Sequence, residues 1–240
     1  MKYLEERNIG FDVGVTKVPL VCQSCLFDLT VSDAFTRPDK EMGYEACVNA
    51  EKFNYKDGNF GAGTGATVGK LSGMEHCMKS GIGSYALQIG ELKIGAVVAV
   101  NSLGDIYDYR NGKKVAGLIS DDKKFLSTDE ELYKNYSARE NKFIENGNTT
   151  LAVILTNACF KKSYLCKIAD MAHNGYARSI KPVHTTADGD SIYAVSLGNL
   201  IADLDIVGTL AAQVVSEAIL RAVESAESDY GYMAVKDLER

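Results

Sequence analysis

The chain has 240 residues, 46% of them hydrophobic, and 32 Asp and Glu outnumber 26 Lys and Arg to give a formal charge of −6 at pH 7. That length holds one large domain or two small ones around a buried core, and an acidic balance without a basic stripe argues against a general nucleic-acid binder. The longest apolar run, residues 94–100, is too short to span a bilayer, and the charged start Met1-Lys2-Tyr3-Leu4-Glu5-Glu6-Arg7 is not a secretory signal. A soluble, cytoplasmic chain is expected, with neither a membrane nor a nucleic-acid partner.

In chain order, residues 1–7 read as the last turns of a helix and residues 13–21 as a strand. A helix starts near Asp39 and carries Met42, Ala46 and Ala50 on one face. A glycine-dense stretch, Gly58-Asn59-Phe60-Gly61-Ala62-Gly63-Thr64-Gly65-Ala66-Thr67-Val68-Gly69-Lys70, leads into a helix expected over about 65–79. Residues 84–89, 92–100 and 105–109 alternate as antiparallel strands do. Residues 120–148 turn polar and charged, which reads as a solvated, mobile connection with one weak helix. A strand over 150–156, a helix over about 161–177, a strand over 191–197 and a long amphipathic helix over about 203–227 complete the chain. No internal repeat is present.

Two patterns invite a ligand and fail on spacing. Glycines before a helix suggest a phosphate cradle, but Thr64 stands where a P-loop needs its first Gly, and Leu71 follows Lys70 where Ser or Thr is required. What remains is backbone that packs closely against something, with a cation at its end. Cys22-Gln23-Ser24-Cys25 has the spacing of a zinc half-site or redox pair, yet no second CxxC follows. Of the other cysteines, Cys159 and Cys166 are placed on a helix and Cys47 and Cys77 stand alone, so buried reduced thiols are the expected account. His76, His173 and His184 form no metal-ligand pattern, and no cofactor is expected.

The stretch with most chemical content is Gly147-Asn148-Thr149-Thr150-Leu151-Ala152-Val153-Ile154-Leu155, where a polar turn stops and an apolar strand begins. If the Asn148–Thr149 bond were cut, Thr149 would carry a hydroxyl and a free α-amine, and that amine can serve as base for its own hydroxyl. Alternatively, Asn146-Gly147 is a hairpin turn and the threonines open an ordinary strand.

The glycine segment, then Gly81-Ile82-Gly83, then Val98-Ala99-Val100-Asn101-Ser102-Leu103-Gly104-Asp105 resemble the DmpA-like peptidases, which include L-aminopeptidase/D-Ala-esterases, β-aminopeptidases and endo-type 6-aminohexanoate-oligomer hydrolases. Asn148-Thr149-Thr150-Leu151 and His184-Thr185-Thr186-Ala187-Asp188-Gly189-Asp190 extend the match, most closely to the nylon-oligomer hydrolase branch. Val18-Pro19-Leu20, Leu26-Phe27-Asp28-Leu29 and Arg37-Pro38-Asp39 belong to it too.

This resemblance implies an α+β fold, an αββα sandwich of the N-terminal-nucleophile type, as a single domain (residues 1–240) cut by its own chemistry into fragments 1–148 and 149–240. It implies Asn148–Thr149 as the autocleavage site, Thr149 as nucleophile, Asp188 and Asp190 as groups that position and polarise it, Lys70 as a catalytic-site lysine and Asn101 as an oxyanion donor. Lys70 beside the freed amine would favour its neutral form by like-charge repulsion. Phe27 falls in the substrate site, where some relatives place a tyrosine, so that hydroxyl is missing here. The implied function is a peptidase or amidohydrolase acting on small peptides or amino-acid-derived amides through an acyl-enzyme, in a homo-oligomer, commonly a tetramer of cleaved units. Two other readings stay open: an acyltransferase of the ornithine-acetyltransferase type, and an inactive truncated homologue. The family normally has a segment before the match to residues 3–7, including a Gly-Gly-Ser stretch, so slow or incomplete processing of this chain is expected.

Overall fold

The computed structural model describes residues 1–134, 136 and 147–238. Packing divides the chain into two compact units, one of residues 1–25 and 33–56, the other of residues 26–32 and 57–240.

The smaller unit holds α1 (Lys2–Glu6), a two-residue antiparallel pairing of β1 (Phe11–Asp12) with β2 (Lys17–Val18), and α2 (Lys40–Glu51). The strand expected over 13–21 is thus reduced to residues 17–18, and its neighbours are largely exposed. Asp39 caps α2 by accepting the Met42 N–H at 2.8 Å. Ala46 and Ala50 face solvent; the side that turns inward carries Tyr44, Cys47 and Val48, because the Tyr3 ring meets Tyr44 edge-on at 5.5 Å.

The larger unit is built on a four-stranded sheet in the order β11-β9-β6-β5, comprising β5 (Ile82–Ile89), β6 (Leu92–Asn101), β9 (Thr149–Ala158) and β11 (Ser191–Leu200). β5, β6 and β9 run antiparallel, and β11 lies parallel to β9. Parallel neighbours need a crossover, and α4 (Lys162–Ser179) supplies it. One face carries Leu92, Ile94, Ala96, Val98 and Val100 of β6 with Ala152 and Ile154 of β9, all buried beneath α4 and α5 (Leu204–Ser225). Asp203 caps α5 by accepting the N–H groups of Asp205 at 2.9 Å and Ile206 at 3.0 Å. By length and composition α5 is apolar enough to cross a membrane, yet two-thirds of its most apolar stretch is buried inside the protein. It is a core helix.

The unit also holds the pair β3 (Thr67–Val68) and β4 (Met78–Lys79), the sheet β10-β7-β8 from β7 (Asp105–Tyr107), β8 (Lys114–Ala116) and β10 (Ile180–Lys181), and helix α3 (Thr128–Lys134). The helix expected over 65–79 is absent. Gly69 and Gly73 sit at positive φ, +78° and +107°, which breaks helical continuity, and tertiary bonds take the backbone instead. Gly69 N–H donates to Gly104 O, Lys70 N–H to Leu103 O and Lys79 N–H to Met233 O. The close packing expected of the glycines is found: a side chain at Gly69 would lie 2.0 Å from Leu118 N, and one at Gly63 2.3 Å from Ile82 N. In the polar connection, α3 is the expected weak helix; residues 135 and 137–146 lie outside the described residues.

Candidate active site

Thr149 is the first residue of β9, and the sheet fixes its surroundings. Asn101, the last residue of β6, is its partner across the strands. On the other side, Asn148 bridges in parallel to Asp188, so the loop before β11 runs beside the start of β9. Thr149 is buried and its Oγ1 donates to Asn148 O at 2.6 Å. The Gly189 N–H donates to that same carbonyl at 2.7 Å, and Asn148 N–H donates to Ala187 O at 3.2 Å. One carbonyl, on the residue preceding a buried hydroxyl, is therefore polarised by a backbone amide while the hydroxyl sits against it. A Cβ at Gly189 would lie 2.9 Å from Thr149 Oγ1, so the close approach requires glycine.

The two aspartates do different jobs. Asp188 Oδ2 accepts the Thr185 N–H at 2.9 Å and its hydroxyl at 2.7 Å, closing the turn that carries Gly189. Asp190 Oδ1 accepts the Thr150 N–H at 2.8 Å and so holds the second peptide of β9. Burial pushes the Asp190 carboxyl up from its ordinary range, and the Thr150 amide opposes this.

Lys70 comes from the glycine segment. Its buried Nζ donates to Asn101 Oδ1 at 2.7 Å and to Asn101 O at 3.3 Å. Burial pushes this lysine down to about 7, with Asp188 and Asp28 among the groups that oppose the shift. Asn101 Oδ1 also accepts the Thr67 N–H at 3.2 Å, and Asn101 Nδ2 donates to Phe27 O at 2.9 Å. Cross-strand partners have Cβ atoms about 5 Å apart. The Lys70–Asn101 pair therefore stands beside Thr149. Phe27 reaches the same place through its backbone carbonyl and through its Cβ, which would be 3.0 Å from a Cβ on Gly147.

The structure thus gathers Thr149, Asn148, Asp188, Asp190, Lys70, Asn101 and Phe27 around the start of one strand. Three further groups escaped the sequence reading. The Gly189 amide was invisible because a backbone N–H leaves no residue-type signal. Lys79, fully buried, donates Nζ to Gly63 O at 3.0 Å and Ala66 O at 3.2 Å and is pushed down to about 8 by burial, so it ties the glycine segment in place. His184 Nδ1 lies 2.8 Å from Asp190 Oδ2, and its Nε2 lies 3.2 Å from His173 Nδ1. Two of the three histidines thus form a pair that their separation in sequence does not announce.

The cysteine reading needs correction. Cys77 alone is buried and Cys47 is half-buried, while Cys22, Cys25, Cys159 and Cys166 are exposed; all six are free thiols. Cys159 follows the end of β9 rather than lying on α4. Among the described residues no group of His, Cys, Asp and Glu is arranged to hold a metal ion.

Solved structures with this fold include the L-aminopeptidase D-Ala-esterase/amidase from Ochrobactrum anthropi, described as a variant of the N-terminal-nucleophile hydrolase fold, at a TM-score of 0.50 and 20% identity over 80% of this chain and 55% of that one. A protein of Pyrococcus horikoshii OT3 matches at a TM-score of 0.54 and 22% identity, over 94% of this chain and 60% of its own. The chain thus spans little more than half the length of these solved relatives, and its fold is α+β, of the N-terminal-nucleophile hydrolase type described for the Ochrobactrum enzyme. In sequence it is 32% identical over 253 residues to an uncharacterized aminopeptidase of Mycobacterium leprae, covering 96% of this chain and 68% of that one. It is 29% identical over 236 residues to the 6-aminohexanoate-oligomer endohydrolase of Paenarthrobacter ureafaciens, covering 92% of this chain and 64% of that enzyme. With residues 1–236 also matching the model of peptidase family S58, the chain belongs to that family.

Proposed function

We propose that the chain is an autoprocessing amide hydrolase whose nucleophile is Thr149, freed by scission of the Asn148–Thr149 bond. The observation that carries this reading is the Asn148 carbonyl, which has the Thr149 hydroxyl at 2.6 Å on one side and the Gly189 amide at 2.7 Å on the other. In the first step Thr149 Oγ1 loses its proton to a base and attacks the Asn148 carbonyl carbon. The negative charge that develops on the carbonyl oxygen is met by the Gly189 N–H; a donor so placed is worth about 3–4 kcal/mol in comparable sites. The C–N bond then breaks, Thr149 nitrogen takes up a proton, and an ester joins Asn148 to Oγ1. Water hydrolyses the ester to leave an Asn148 carboxylate and Thr149 with a free amine and hydroxyl.

Lys70 is the base for that first proton transfer. Held near neutrality by burial, it is deprotonated in a useful fraction of molecules at neutral pH, as a general base must be. In the mature protein the Thr149 amine takes over as base, and Thr149 Oγ1 attacks the carbonyl of a small peptide or amino-acid-derived amide. Asp190 steadies the backbone behind the nucleophile, Asp188 holds the turn bearing Gly189, and Asn101 presents an amide toward the developing oxyanion. Phe27 borders the substrate. The names of the relatives, aminopeptidases and a 6-aminohexanoate-oligomer endohydrolase, support amide bonds of small molecules as the substrate class. A homo-oligomer of cleaved units belongs to the same proposal.

The test is to incubate purified chain, follow its intact mass, and assay the cut protein on amino-acid amides and short ω-amino-acid oligomers. Fragments 1–148 and 149–240 with amide hydrolysis support the reading. A cut elsewhere overturns it. Acetyl transfer from acetylornithine to glutamate without hydrolysis would establish an acyltransferase instead.

A further inference from the structure

Resting on the proposed role of Thr149, we propose that His184, backed by His173, is a positioning residue that keeps Asp190 ionised and thereby holds the start of β9 in register for chemistry. Asp190 has an awkward task. It must accept the Thr150 N–H at 2.8 Å, which an ionised carboxylate does best, from a buried position that favours the protonated acid. Asp188, two residues earlier, adds a like charge that pushes the same way. The Thr150 amide opposes both, and the side chain that joins it is His184, whose Nδ1 lies 2.8 Å from Asp190 Oδ2.

The rest of the surroundings fits this arrangement. The Nδ1 of His184 is within ion-pair distance of the carboxylate, and its Nε2 lies 3.2 Å from His173 Nδ1, a contact in which the tautomers of the two rings decide which donates. The two rings meet at a centroid distance of 4.8 Å. His173 belongs to α4, where burial and then His184 push its imidazole below the ordinary range against the opposing pull of Asp170. Tyr176, one turn on, donates its hydroxyl to Thr150 O at 3.1 Å and Ser191 O at 3.3 Å, carbonyls of the residue that Asp190 holds and of the residue that follows Asp190. Among the described residues, Asp188, His184 and Tyr176 act on this carboxylate, with His173 and Asp170 behind His184. His184 sits at φ +56°, a conformation the turn imposes and one that histidine and asparagine tolerate better than most residues.

The test uses His184→Asn, which suits the left-handed backbone but removes the ring. In chain able to cut itself, Asn148–Thr149 scission, read by intact mass across pH, should fall off at low pH in a second limb below the one that Lys70 sets, and that lower limb should move upward by about one pH unit when the ring is removed. A limb that stays in place overturns the proposal. In the uncuttable Thr149→Ala chain, the Asp190 carboxyl signal, assigned by its loss in Asp190→Asn and followed by carbon-13 NMR, should titrate about one unit higher when His184→Asn is added; an unmoved midpoint overturns the proposal. A third reading needs no change at His184. Nitrogen-15 NMR of Thr149→Ala should show neutral His184 as the Nδ1–H tautomer, and the Nε2–H tautomer would refute the contact. If native chain never cuts while the two NMR results hold, the assignment of Thr149 fails and the role of His184 toward Asp190 stands.

Discussion

Asn101 and Thr149 are cross-strand partners at the ends of β6 and β9, and Lys70 is anchored on the first of them through two hydrogen bonds. That pairing is what brings a lysine from a glycine-rich segment to a threonine far along the chain. It also makes Thr149 the residue whose removal is most informative. Native chain should resolve by intact mass into residues 1–148 and 149–240, and Thr149→Ala should remain one chain. A Thr149→Ala preparation that still cuts at this bond would dismiss the hydroxyl as nucleophile.

Lys70 predicts the pH dependence. With the folded-state value at about 7, the neutral amine accumulates as pH rises through 7, so scission should accelerate over that range and level off above it. Lys70→Arg, cationic throughout, should lose at least about 100-fold in rate and the neutral limb with it. The same burial affects stability with a definite sign. The unfolded chain holds its lysine proton up to ~10.4 while the folded chain releases it near 7, so the cost of burying the cation is full below pH 7 and fades as pH rises toward 10. Urea titrations of Thr149→Ala should gain stability over pH 7 to 10, and adding Lys70→Met should flatten that gain.

Gly189→Ala tests the contact that no residue pattern announces. Its new methyl would lie 2.9 Å from Thr149 Oγ1, and relief requires the hydroxyl to move away from the Asn148 carbonyl. A displacement approaching 1 Å costs on the order of 100-fold in a positioned reaction. We expect scission slowed by that order with an unchanged circular-dichroism spectrum. Wild-type rates in this variant would show that the Gly189 turn is a spectator.

Tyr176→Phe separates structure from chemistry. The Tyr176 ring is fully buried and its hydroxyl bridges the carbonyls of Thr150 and Ser191, which belong to the neighbouring strands β9 and β11. Losing that donor should cost about 1–3 kcal/mol in urea unfolding of the Thr149→Ala chain. A change within ~0.3 kcal/mol would mean the two carbonyls are satisfied without it.

Much of this was legible in the sequence where a local rule governs. The alternation of β5, β6 and β9 reports one face under helices, and Asp39 and Asp203 mark the starts of α2 and α5 as caps do. The gathering of Thr149, Asp188, Asp190, Lys70 and Asn101 was legible through motifs, not through spacing. Residues 65–79 misled because their helix-compatible side chains hide two glycines at positive φ and hydrogen bonds to distant segments. The thiols misled for a related reason: the burial of Cys22 or Cys159 is a property of the neighbours that fail to cover it. His173 and His184 are 11 residues apart, and only the turn that follows α4 folds one onto the other.

The sheet order assigns strands to both sides of the Asn148–Thr149 bond: β5 and β6 precede it, β9 and β11 follow it, and β6 lies against β9 along eight paired residues. If the proposed scission removes that bond, the core becomes an interface, with one product contributing two strands and the other two strands and both packing helices. Neither product keeps a complete hydrophobic layer alone. Unfolding of the matured molecule then becomes a dissociation, its midpoint rises with protein concentration, and recovery from denaturant is a second-order encounter between halves that were once a single chain. A maturation of this kind is easy to complete and hard to repeat, since a molecule that loses its structure afterwards must find a partner to regain it.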